Sequence, residues 1–165
     1  MKSWRKVGVV ALLLIVAVVS WLRWKEGEPR RLAIQTLSEL DTAVRSGNSP
    51  DLLKIVCTPA AIQARTAPEQ AEFLSKALAD EISPEGLTVL QRHASFGALT
   101  NLFPAEAEKW AKQAGVRPED CVAFKLDRSG VRAEVVLAED PALGSPHSVF
   151  RIVRCNNVKQ MARGD

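Results

Sequence analysis

Cysteine, histidine and clustered basic residues are all scarce in this 165-residue chain, and each scarcity removes a class of function. Its three cysteines, Cys57, Cys121 and Cys155, are too few and too widely spaced for a disulfide-rich scaffold, and no C-x-x-C pair occurs. The two histidines, His93 and His147, stand alone, so no zinc-ligand spacing is present and neither a metal nor a cofactor is expected. There is no P-loop, no G-x-S-x-G and no dinucleotide fingerprint. Internal repeats and low-complexity tracts are missing too. The formal charge is +3, but Lys2, Arg5, Lys6 and Arg23 all fall within residues 1–24. The remainder of the chain holds 18 basic residues against 19 acids, a balance near −1, with lysines and arginines scattered singly. A phosphate backbone needs them clustered, so no nucleic acid is expected as a partner.

What the chain does hold, first of all, is a run of sixteen uncharged residues, Val7–Leu22, between Lys6 and Arg23. As a helix it spans roughly 24 Å, a little short of a ~30 Å hydrocarbon core. Three of the four tryptophans, Trp4, Trp21 and Trp24, sit at its ends. Indole favours the headgroup layer because its body is apolar and its N–H wants a partner. Residues 1–24 therefore read as a transmembrane anchor, a single-pass signal-anchor with Trp4, Trp21, Arg23 and Trp24 at the membrane interface and the lipid bilayer as a partner. The competing reading is a secreted domain after signal cleavage at Val18-Val-Ser20, against which Trp21 beside the cut and the continuing Leu22 both argue. No cysteine adjoins the run to carry a lipid. Lys2, Arg5 and Lys6 before it nearly balance Arg23, Lys25, Arg30 and Arg31 after it. The short tail and the likeness to an export signal favour a bacterial inner-membrane protein with its C-terminal domain in the periplasm.

Residues 25–31 form a short charged linker, residues 32–162 a single globular domain, and residues 163–165 a tail. In the domain, Ala33, Leu37, Leu40 and Val44 recur at helical spacing, and Gly47 or Asn48 suits a left-handed stop. Ser49-Pro50 starts a short buried helix over residues 51–57, and Thr58-Pro59 opens a further turn. A longer helix begins near Pro68 with Ala71, Leu74, Ala77 or Leu78, and Ile82 on its buried stripe. After the cap at Ser83–Gly86, Leu87, Leu90, Ala94, Ala98 and Leu102 predict one more helix, whose small residues Ser95 and Gly97 would admit another backbone closely. Ala107, Trp110, Ala111 and Ala114 line a last helix closed by Gly115.

Beyond Pro118 the apolar period changes from helical to two. Val122, Phe124 and Leu126 precede a turn at Asp127-Arg-Ser-Gly130, and Val131, Ala133, Val135 and Leu137 follow it, which predicts a β-hairpin. Residues 140–147 read as a loop and residues 148–155 as a third strand. Buried free thiols are the default for the three cysteines; outside the cell one pair could oxidise, and if that strand pairs with the first the pair is Cys121 and Cys155. The fold class is α+β: an N-terminal transmembrane helix, then several helices packed on one face of a small antiparallel sheet of three or more strands.

The opening helix over residues 33–44, the turn Ser46-Gly-Asn-Ser-Pro50, the next short helix and the terminal meander resemble NTF2-like (cystatin-like) domains, which often sit behind a single bacterial membrane helix. The resemblance covers about half the domain and lies in layout. It departs in having more helices before the sheet and no early hairpin. What it implies is a pocket between helices and sheet.

No catalytic residues are identified. A Cys57/His93 dyad has the elements of nucleophile and base, but Cys57 sits among Leu, Ile and Val, where thiols are inert. Asp80-Glu81, Glu119-Asp120 and Glu139-Asp140 lie at element ends, where capping carboxylates are common. The terminal Arg163-Gly-Asp165 matches an adhesion tripeptide that three residues reach by chance. The most unusual polar group is Arg154-Cys-Asn-Asn157. With His93, the residues Arg154, Asn156 and Asn157 are the candidates for contact with a ligand or partner. The chain thus reads as a membrane-anchored, non-catalytic interaction or accessory domain that binds a protein partner or its own copies. The alternative is a small-molecule-binding or enzymatic pocket protein of NTF2-like type.

Overall fold

The computed structural model describes residues 27–47, 49–139 and 150–163. The chain divides into two compact units, Met1–Leu32 and Ala33–Asp165. Helix α1 occupies residues 27–46. It is followed by α2 (Ser49–Ile55), α3 (Ala67–Ala79), α4 (Pro84–His93), β1 (Ser95–Ala98), α5 (Leu99–Leu102), α6 (Ala107–Ala114), β2 (Cys121–Arg128), β3 (Val131–Glu139) and β4 (Phe150–Asn156). The four strands form one antiparallel sheet in the order β1-β2-β3-β4, so the α+β class is shown.

The membrane-spanning part of the expected fold is corrected. Among the described residues no helix is long and apolar enough to cross a membrane. The reason lies in composition: α1 alone carries Glu28, Arg30, Arg31, Glu39, Asp41 and Arg45. Residues 1–24, with Trp4, Trp21, Arg23 and Trp24, lie outside the described residues.

Local sequence explains the element ends. In the second unit Ala33, Leu37 and Leu40 of α1 are buried, and Gly47 adopts φ +64°, the left-handed stop that glycine reaches without Cβ strain. Thr66 opens α3 by donating its N–H (2.9 Å) and hydroxyl (2.8 Å) to the Glu69 carboxylate, and Ala71, Leu74 and Leu78 face inward. At the head of α4 the Ser83 hydroxyl accepts the Gly86 N–H at 3.1 Å, with Pro84 in the first turn. Helix α6 closes at Gly115 (φ +70°), where the N–H groups of Gly115 and Val116 donate to Lys112 and Ala111 carbonyls. Ser129 (φ 51°) and Gly130 (φ 77°) make the two-residue turn joining β2 to β3, both in the left-handed region that matches strand twist.

Two further expectations change. Residues 87–102 are not one helix: α4 ends at His93, Ala94 turns extended, and Ser95–Ala98 pair with β2 as Ser95↔Lys125 through Ala98↔Val122. The small residues do admit another backbone, but it is a strand, and the Phe96 ring lies 4.8 Å from Phe124. The sheet is also covered on both faces, not one. Residues Ala133–Ala138 of β3 are buried without interruption, so both of its side-chain rows face protein. One row, with Cys121, Ala123, Val136 and Ala138, packs against Leu99, Phe103, Ala107, Trp110 and Ala111 of the α5–α6 region. The other row, with Phe124, Val135, Leu137 and Ile152, is equally buried.

The C-terminal segment locks onto the start of α4. Lys159 donates its backbone N–H to Glu81 O (2.8 Å) and its ammonium to Ala79 O (3.1 Å), while the Asn157 N–H donates to the Glu81 carboxylate. A Cβ on Gly86 would lie 2.1 Å from the Val158 carbonyl oxygen, a backbone atom with nowhere to go. Gly86→Ala is therefore expected to cost about 3 kcal/mol by overpacking. Gly97→Ala, whose Cβ meets only Leu102 at 4.0 Å, should be neutral or slightly stabilising. Urea unfolding of the two variants measures this, and equal shifts would contradict the docking.

Candidate functional site

An irregularity in β4 creates the most distinctive side-chain arrangement of the molecule. Glu134↔Asn156, Val135↔Cys155 and Val136↔Arg154 are in register, but the next pair is Leu137↔Ile152. Val153 is thus an extra residue, a β-bulge between Arg154 and Ile152. Neighbouring strand residues normally point to opposite faces; a bulge re-aims one of them. Here Val153 and Arg154 both line the same cavity, on the face that carries α6.

Arg154 is fixed from two sides. Its Nε donates to Glu134 Oε1 at 2.6 Å, and its guanidinium carbon lies 5.0 Å from the centre of the Trp110 ring. Glu134 is almost fully buried, with 7% of its surface exposed, and Asn156 Nδ2 reaches the same oxygen at 3.4 Å. A carboxylate taken out of water needs such donors, because unpaired it costs several kcal/mol or takes up a proton. Trp110 in turn packs at 5.0 Å against Phe103, over whose ring Lys125 Nζ lies at 5.4 Å. The cations and rings form a row, Lys125–Phe103–Trp110–Arg154, across the sheet face, with the Glu134 carboxylate in the same face.

Beside this row lies a cavity of about 500 Å³, walled by Pro59, Ala60, Ala61, Trp110, Val153 and Arg154. Its fourth side is the segment after α2, which the sheet holds in place. Val56 bridges Ile152 in parallel, Cys57 donates its N–H to Ile152 O at 2.7 Å, and Arg151 donates to the Leu53 and Val56 carbonyls. Cys57 also lines an adjoining, more polar hollow of about 410 Å³ with Thr58, Gln63, Glu139 and Arg151.

Of the residues singled out from the sequence, Arg154 and Asn156 are brought together, through Glu134. Asn157 does structural work: it sits at φ 58° in the turn after β4 and donates its side-chain amide to Arg132 O at 2.9 Å. His93, at the exposed end of α4, makes no side-chain hydrogen bond or ion pair among the described residues and does not line the cavity. Nor does any hydrogen bond among them join it to Cys57. The candidate Cys121–Cys155 bond is absent: all three cysteines are free thiols, and β4 pairs with β3, which stands between the two. Cys121 is opposite Ala138 and Cys155 opposite Val135, so the two also lie in different rows. Among the described residues no cluster of three His, Cys, Asp or Glu is placed to hold a metal.

The sequence reading overlooked Glu134 and the role of Trp110 at the cavity wall. A carboxylate between apolar residues in the middle of β3 was the available signal. No protein-family model matches the chain, and no curated protein or solved structure gives a significant match.

The thiol chemistry here is suppressed. Burial pushes Cys121 up to about 11, helped by Cys57, Asp120 and Glu119 nearby, and its Sγ donates to Arg117 O. Burial of its sulfur pushes Cys155 up to about 12, although the residue as a whole is partly exposed; Glu81 raises it further and Arg154 opposes. A thiol whose folded value is raised contributes stability that is fully present below the unfolded value and is lost as pH rises through the folded one. At pH 8 a disulfide reagent should label Cys121 and Cys155 only after unfolding. Between about pH 9 and 12 wild-type stability should fall more steeply than that of Cys121→Ala/Cys155→Ala. Rapid labelling of the native chain would contradict this.

Proposed function

We propose that the chain is a non-catalytic interaction domain that takes an extended protein segment, from a partner or a further copy of itself, along the outer edge of β1. One observation carries this reading: β1 pairs only with β2, and among the described residues no hydrogen bond meets its other side. Sheet edges are usually blunted by charge, proline or a bulge. Ser95-Phe-Gly-Ala98 is short, at 4 residues, but carries no charge, proline or bulge, and Ser95 and Ala98 are exposed. An added strand would gain main-chain hydrogen bonds, the mode by which many domains bind extended peptides. Arg92, His93 and Lys125 flank the Ser95 end and favour a segment with acidic residues. The suppressed thiols agree with a role without covalent chemistry.

A second reading is a pocket domain of NTF2-like type that binds a small molecule. The cavity beside Trp110 supports it, with Arg154 as its polar wall.

Ser95→Lys/Ala98→Lys places charge on exposed edge positions and should change stability by less than about 0.5 kcal/mol. Wild-type chain, isolated with what it binds in its native cells and then run in sedimentation, should carry a bound protein or form an oligomer that this variant loses. Equal behaviour of the two chains, or a wild type that is monomeric and bare, contradicts the reading.

A further inference from the structure

We infer that the cavity beside Trp110 binds a small monocarboxylic acid with an apolar body, its carboxylate held by Arg154. The inference rests on the pocket reading above and names the ligand that pocket would take. At about 500 Å³ the cavity falls within the ~300–1,000 Å³ that small-molecule sites occupy. Its walls select an apolar body: Pro59, Ala60, Ala61, Trp110 and Val153 offer hydrocarbon and ring, with Gln113 the one amide.

Arg154 selects the anion. Glu134 takes its Nε, and its remaining N–H groups make no hydrogen bond among the described residues. A guanidinium presents a planar fork that matches a carboxylate's two oxygens. This fork is already oriented, because Glu134 holds one edge and Trp110 covers one face, so little side-chain entropy is lost on binding. Glu134 also sets the charge that is tolerated. With its carboxylate 2.6 Å from Arg154, the pair is close to neutral, which suits a single negative charge and disfavours a phosphate dianion. A cationic ligand is excluded by the guanidinium itself, which occupies the ring face a cation would need.

The bulge at Val153 is what makes this a site. In a regular strand Arg154 and Val153 would face opposite sides of the sheet, and the cavity would have either its apolar floor or its charged wall, not both.

The test uses the full chain and two probes of the same shape, phenylacetate and its uncharged amide, phenylacetamide, titrated calorimetrically. Wild type should bind the acid about tenfold tighter than the amide, the gap expected between a charge-assisted and a neutral hydrogen bond. Ala60→Trp, which fills the cavity from an exposed position, should lose both. Arg154→Gln/Glu134→Gln, which removes both charges so that neither is left unpaired, should bind acid and amide alike. Equal affinity of wild type for the two probes overturns the carboxylate assignment while the pocket reading stands. Binding of the acid that survives Ala60→Trp overturns the location, and saturable binding of neither probe overturns pocket and inference together.

Discussion

A carboxylate buried in a sheet must find donors, and the position of Glu134 imposes that requirement on everything around it. On the same face Arg132 and Val136 flank it along β3 and Lys125 stands opposite on β2, but Arg132 and Lys125 pair with Asp127 instead. The donors Glu134 takes come from β4, where a strand in regular register offers one side chain opposite each position. Asn156 is that side chain, but its amide is 3.4 Å away, too long to carry a full charge alone. Arg154, two residues before Asn156 in the same row, brings its Nε to 2.6 Å, and the extra residue Val153 lies just beyond it. From there the consequences run outward: Arg154 covers Trp110, Trp110 packs on Phe103, and the α6 helix is held at the height that leaves the cavity open beside it.

The other side of the sheet is built differently. Its row of Phe124, Val135, Leu137 and Ile152 is apolar throughout and fully buried, so it supplies the bulk of the hydrophobic stabilisation and asks for no polar partners. Around it, backbone contacts join segments distant in sequence. The segment after α2 lies along the outer edge of β4 through Val56 and Cys57, and the C-terminal turn lies over α4 through Gly86, Val158 and Lys159. One edge of the sheet is thereby occupied by the chain itself, while among the described residues no strand pairs with the outer edge of β1. That asymmetry separates the edge available to a partner from the edge that shapes the cavity.

How much of this was legible beforehand depends on the range of each interaction. Turns and helix ends are written in neighbouring residues: Gly47, Ser83-Pro84, Gly115 and Ser129-Gly130 all act where the sequence placed them. The β2–β3 hairpin was legible for the same reason, since a two-residue turn fixes its register. Strand β1 was hidden because its apolar residues also fit a helical period, and four residues are too few for alternation to win. Pairing with β2, a non-local event, decided it. The Cys121–Cys155 pairing failed on the same ground, because local pattern cannot say which hairpin strand a third strand joins. Arg154 and Asn156 drew notice as polar residues in an apolar strand. Glu134 itself stands out locally as a carboxylate among apolar residues of β3, but its pairing with residues twenty or more positions away, and the bulge beyond them, leave no local trace.

The central claim is that Glu134 and Arg154 act as one unit, and a double-mutant cycle measures that directly. Unfolding free energies of wild type, Glu134→Gln, Arg154→Gln and the double variant should show a coupling of about 1–3 kcal/mol, because each single change strands the other group. Arg154 is partly in solvent, which places the expected value toward the lower end. Additive effects, with a coupling indistinguishable from zero, would contradict the account: Glu134 would then not hold Arg154, and the ordering of the cavity wall would need another cause.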